Sequence, residues 1–133
     1  MIDVESSIFS RVATAFDAAF PNGSRAGEPI LAPAEFPFLT LVEIDNATYQ
    51  RSQDAELTEH HAAVVYEANV FSNESSGAKQ ECKEIMALVD EQMQQMGFTR
   101  LFCNQTKNLD TRIYRMTARY RGVIGADYRI YRK

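Results

Sequence analysis

The chain has 133 residues, 45% of them hydrophobic and 24% charged, with a formal net charge of −4. A chain of this size buries roughly two-thirds of the surface it exposes unfolded, so residues 1–133 read as a single domain that needs no disulfide framework. The composition excludes a wholly disordered chain, and no apolar run approaches the roughly 18–20 residues of a membrane span.

The first residues, Met1-Ile2-Asp3-Val4-Glu5, carry acid where a secretory signal carries base, so no signal peptide is expected. Residues 3–20 predict an amphipathic helix. Val4, Ile8, Val12, Phe16 and Phe20 recur at about four, and Phe9, Ala15 and Ala19 widen the stripe. Pro21-Asn22-Gly23 ends it, and residues 21–35, with Pro21, Gly23, Gly27, Pro29 and Pro33, read as a connecting loop.

Residues 36–45 predict an apolar strand, 46–60 a polar hairpin tip or long loop, and 62–72 a second strand. In that second strand Val64, Tyr66, Ala68 and Val70 share one face, and Glu67 and Asn69 lie on the other beside Val65 and Phe71. Ser75-Ser76 offers a helix N-cap. Residues 77–96 carry the clearest helical pattern, with Ala78, Cys82, Ile85, Met86, Val89, Met93 and Met96 on one face. Glu81, Glu84, Asp90, Glu91 and Gln94 cover the outside, with Glu81, Glu84 and Glu91 read as solvated groups, and Gly97 suits the C-terminal cap.

Residues 98–106, 111–121 and 127–132 predict three strands, with 108–110 and 122–127 as turns. In the middle strand Tyr114, Met116, Ala118 and Tyr120 oppose Ile113, Arg115, Thr117, Arg119 and Arg121. The expected fold class is therefore α+β: a mixed, mostly antiparallel sheet with two helices packed on one face, in the order α-β-β-α-β-β-β.

No catalytic constellation emerges. GxSxG, GxxxxGK[ST] and GxGxxG are absent. His60 and His61 are adjacent and read as exposed loop histidines, since neighbouring residues on a strand point to opposite faces and would not share one metal. Cys82 and Cys103 lie 21 residues apart with no CxxC, and read as reduced, mostly buried thiols of a protein made in the cytosol. The expectation is no enzyme, no metal and no cofactor.

Charge is unevenly placed. Residues 1–97 hold 16 acids and 5 bases, and residues 98–133 hold 2 acids and 9 bases. The pairs Tyr114-Arg115, Tyr120-Arg121, Tyr128-Arg129 and Tyr131-Arg132 interleave aromatic and basic side chains. That composition serves single-stranded nucleic acid in some proteins, but inward tyrosines and outward arginines are equally the pattern of a half-buried sheet. Arginines meeting carboxylates of the same sheet or of a neighbouring copy are the favoured reading. Glu43, Asp45 and Glu67 are the acids expected nearby, and the acidic second helix of a neighbour is the candidate between chains. The contact residues this predicts are Arg115, Arg119, Arg121, Arg129, Arg132, Glu84 and Glu91.

The stretch Tyr114-Arg115-Met116-Thr117-Ala118-Arg119-Tyr120-Arg121-Gly122-Val123-Ile124, followed by Tyr128-Arg129-Ile130-Tyr131-Arg132, resembles the C-terminal strands of the tail terminator and tail completion proteins of long-tailed bacteriophages. The run 66–71 and the helix 79–97 also look like that family. The resemblance implies a structural virion protein without cofactor or reaction, which forms a ring, usually a homohexamer, on the head-proximal end of the tail tube. Its implied partners are further copies of itself, the tail tube protein and the head or neck connector, with DNA only as passing cargo and no membrane or small-molecule substrate. The implied location is the virion tail, after synthesis in the host bacterial cytoplasm. A head–tail connector role in the same particle, or a small nucleic-acid-binding or regulatory domain, are the alternatives.

Overall fold

The computed structural model describes residues 1–30, 32–48, 61–108 and 110–125, together with the backbone of 130–131. The predicted segment 46–60 beyond Thr48, His60, Leu109, the end of the predicted turn 122–127, and Arg129 and Arg132 fall outside those described residues.

The elements run α1 (Glu5–Ala19), β1 (Ser24–Ala26), β2 (Phe38–Thr48), β3 (His61–Ser72), α2 (Ala78–Gln95), β4 (Thr99–Thr106), β5 (Tyr114–Gly125) and β6 (Ile130–Tyr131). The strands form one six-stranded sheet in the order β1-β2-β3-β5-β4, and β6 also pairs with β5. Only β1–β2 is parallel; the remaining pairs are antiparallel. The α+β class and the mostly antiparallel sheet are thus as the sequence predicts, with one strand added. β1 lies inside the stretch expected to be a plain loop, because its three residues are too few to carry an alternating pattern.

One sheet face and both helices share a single core. Leu39 and Leu41 of β2, Val64, Tyr66, Ala68 and Val70 of β3, and Met116, Ala118 and Tyr120 of β5 meet Ile8, Val12 and Phe16 of α1 and Cys82, Ile85, Val89 and Met93 of α2. Burying each Val, Leu, Ile, Phe or Met side chain among these contributes about 1.5–3 kcal/mol. The stripe on α1 closes on Ala13 rather than Ala19, which is exposed.

The ends of α2 differ in how they fit the sequence pattern. The N-cap is Gly77, at φ 89°, with no side-chain cap bond, in place of Ser75 or Ser76, which are exposed. At the other end the Gly97 N–H donates to Gln94 O at 2.9 Å and the Phe98 N–H to Met93 O at 3.0 Å, the paired bonds of a Schellman motif. Gly97 sits at φ 98°, where a Cβ is strained, so this cap is specific to glycine.

Strand β5 runs through Gly122 to Gly125, so this part of the predicted turn is strand. A Cβ on Gly122 would lie 2.7 Å from Phe98 Cε1. A glycine at this position leaves the room into which the Phe98 ring packs. Phe98 in turn meets Tyr66 edge to face at 5.5 Å between centroids.

Candidate functional site

The ladder register converts the strands into rows that cross the sheet. On the helix-free face, Thr40, Asn69, Thr117 and Asn104 form one row, with Phe38, Phe71, Arg115 and Thr106 on one side of it and Val42, Glu67, Arg119 and Phe102 on the other. A further row holds Asp45, Val65, Arg121 and Thr99. Directly opposed residues share a face, so Arg115, Arg119 and Arg121 all lie opposite the core, as the alternation of β5 predicts.

These side chains are held in a network. Thr117 Oγ1 lies 2.6 Å from Asn69 Oδ1 and 2.6 Å from Thr106 Oγ1. Arg115 Nε donates to the same Asn69 oxygen at 2.9 Å, and its guanidinium lies 5.4 Å from the Phe71 ring centroid. Asn69 Nδ2 donates to Glu67 Oε1 at 3.0 Å, and Arg119 Nε donates to Glu67 Oε2 at 2.8 Å while covering Phe102 at 5.6 Å. Of the three acids expected near the arginines, Glu67 meets one. Glu43 does not: it stands opposite Tyr66, on the helix side, and accepts the Tyr66 hydroxyl at 3.1 Å. Arg121 is half-buried beside Val65, and its side chain has no hydrogen bond or ion pair among the described residues.

Expectations for α2 need correction. Glu81 is half-buried and accepts the Ser72 hydroxyl at 2.6 Å, and Asp90 accepts both Tyr120 Oη at 3.0 Å and Arg100 Nη1 at 2.8 Å. Neither is a solvated group, because strands β3, β4 and β5 bring hydroxyls and a guanidinium to the flank of the helix. Glu84 and Glu91 are exposed, but so are Lys79 and Lys83, so the outward face of α2 is balanced rather than acidic. Arg115, Arg119 and Arg121 lie on the sheet face away from the core, and Glu84 and Glu91 on the exposed side of α2.

His61 opens β3 and is half-buried, not a loop histidine. Cys82 is buried and Cys103 half-buried, and both are free thiols. Burial pushes the Cys82 thiol up to about 12, with the nearby Glu81 carboxylate adding to the shift, so it is inert as a nucleophile at neutral pH.

Two features escaped the sequence reading. A cavity of about 320 Å³ opens between α2 and β4, lined by Met86, Ala87, Cys103, Met116 and Tyr120, with Lys83, Asp90 and Arg100 at its rim. Asp3, Glu5 and Glu43 bring three carboxylates within 4.8 Å of one another, the one group of this kind among the described residues. All three are already engaged, since Asp3 Oδ1 accepts the Glu5 N–H at 3.2 Å, Glu5 Oε2 accepts the Glu43 N–H at 2.8 Å and Glu43 accepts the Tyr66 hydroxyl. Their chemistry would suit a hard divalent cation, but their hydrogen bonds already explain their place: they pin the N-terminal segment to β2, where Asn46 Nδ2 also holds Ile2 O at 2.8 Å.

No helix among the described residues is long and apolar enough to cross a membrane. No protein-family model matches the chain, and no curated protein matches it.

Proposed function

We propose that this chain is a structural subunit of a bacteriophage tail, a terminator that closes the tail tube as a homohexameric ring and joins it to the head or neck. The observation that carries the reading is the two-layer architecture: both helices lie on one sheet face, and the other carries arginine, amide, hydroxyl and aromatic groups, with Arg119 and Phe102 exposed and Thr40, Asn69, Phe71 and Thr117 buried among them. Such a face is built to be met by a large partner. Its hydrogen bonds fix the side chains in place before contact, which lowers the ordering cost of association. The element order also agrees with the family that the C-terminal strands resemble.

Native mass spectrometry and negative-stain electron microscopy of the purified chain test the proposal. The expected result is a six-copy ring with a central opening that binds the end of a tail tube. A chain that stays monomeric at all accessible concentrations, or that binds single-stranded DNA with a steep salt dependence, overturns it.

A further inference from the structure

The sheet has two unlike edges, and they are complementary. β4 forms one edge. It is eight residues long, contains no proline, and among the described residues its outer side pairs with no strand. A bulge between Arg100 and Phe102 leaves Leu101 52% exposed and Phe102 36% exposed. Its bulge and Arg100 blunt this edge in part, but an edge strand with unpaired N–H and C=O groups and exposed apolar side chains can still take another strand. Arg100 on the strand is neutralised by Asp90, and the exposed bases beside this edge are Lys107, just beyond the strand, and Lys83, which lines the adjoining cavity, with no acid on β4 itself.

β1 forms the opposite edge and is also unpaired on its outer side among the described residues. Its one base, Arg25, is neutralised by Asp17, whose carboxylate it meets at 2.9 Å. The acids that follow β1, Glu28 and Glu35, are exposed, and Glu35 is tied to the edge by the Ser24 hydroxyl at 2.5 Å. The net result is an acidic edge at β1 and a basic, apolar edge at β4.

We infer that copies of this chain join edge to edge, β4 of one against β1 of the next, with Lys83 and Lys107 facing Glu28 and Glu35 of the neighbouring copy. The contact is heterologous, so it closes into a ring when the rotation per copy permits. It covers Leu101 and Phe102 and leaves the arginine face free for a second partner. This inference rests on the ring reading above and assigns its subunit contact.

Two charge-reversed variants test it, Glu28→Lys/Glu35→Lys and Lys83→Glu/Lys107→Glu. All four residues are exposed, and the Arg100–Asp90 pair is left intact. Each variant alone should keep its circular dichroism spectrum and lose self-association by at least about tenfold, because like charges then face each other. An equimolar mixture should reassemble, since each variant supplies the edge that the other needs, and it should give even-numbered species of alternating composition by native mass spectrometry. A wild-type ring that survives in both variants overturns the edge assignment and leaves the ring reading standing. A wild-type chain that never associates overturns both. A dimer that responds to the lysine changes but not to the glutamate changes is β4 pairing with itself, and it also overturns the assignment.

Discussion

Asn69 is the residue on which the helix-free sheet face turns. Its side-chain oxygen accepts from both Thr117 and Arg115, its amide donates to Glu67, and only 7% of it is exposed. Removing it leaves two donors unmet, one of them buried. We expect Asn69→Ala to cost about 1–3 kcal/mol in urea denaturation. Arg119→Ala, which removes the ion pair but leaves Glu67 to accept the Asn69 amide, should cost less than about 1 kcal/mol, because the Arg119 side chain is 45% exposed. The reverse order would mean that the ion pair, not the amide, holds the face. Glu43 makes a pH-dependent case. Burial, more than any neighbour, raises its carboxyl above the ordinary glutamate range, opposed by the Tyr66 hydroxyl bond and reinforced by Glu5 and Asp3. A carboxyl with a raised folded-state pKa binds its proton more tightly in the native state. Its contribution is therefore fully present below the ordinary glutamate range and is lost as pH rises through the shifted value. Glu43→Gln keeps an acceptor for Tyr66 without the charge. We expect it to raise the melting temperature at pH 7 and to have no effect once the pH falls below the ordinary glutamate range. A gain that persists in acid would assign the effect to something other than ionisation.

At the scale of elements, the long periodic segments could be read from the sequence and the exceptions could not. Helix α2 and the faces of β3 and β5 follow from spacing alone, since seven apolar residues at helical period or four at strand period leave little choice. β1 was invisible because three residues carry no period. The bulges at Ile44 and Leu101 were invisible because a bulge is a feature of pairing, known only when the partner strand is in place. Glu43, expected as a partner for the arginines because it sits on a strand of the same sheet, stands on the other face by plain alternation with Leu39 and Leu41, ahead of the bulge. Three arginines on one face could be read from alternation. That Asn69 and Glu67 anchor two of them depends on the β3–β5 register, which no local pattern encodes. Gly122 shows how a contact overrides a local signal. Read as a turn residue, it lies in mid-strand because Phe98 occupies the space where its side chain would be. Gly122→Ala should force that ring, and Tyr66 behind it, out of position at a cost of about 1–3 kcal/mol. Adding Phe98→Leu should recover part of the loss. A neutral Gly122→Ala would show that the ring moves freely.

At the scale of the whole molecule, the uneven charge of the sequence is only partly resolved within one chain. Arg100 meets Asp90 and Arg119 meets Glu67, so two bases of the C-terminal part are neutralised by acids from the first 97 residues. Arg112 meets Asp110 within its own turn, and Arg115 is held by an amide and an aromatic ring instead of an acid. The exposed acids Glu28 and Glu35 and the exposed bases Lys83 and Lys107 remain at opposite edges. The fold and the assembly should therefore respond differently to salt. Raising the ionic strength from 0.1 to 1 M shortens the screening length from about 10 to about 3 Å, which weakens exposed pairs. The ion pairs within the chain are exposed on at least one partner and contribute less than about 1 kcal/mol each, and the core of Tyr66, Phe16, Ile85 and Met93 is apolar. The urea midpoint of a monomeric charge-reversed variant should consequently hold or rise with salt, because apolar burial is not screened. Self-association of the wild-type chain, followed by sedimentation, should weaken over the same range, because charge on the two edges selects and orients the contact. If the midpoint collapses while association is unchanged, electrostatics hold the fold and apolar contact holds the assembly, the opposite of the division of labour that these residues imply.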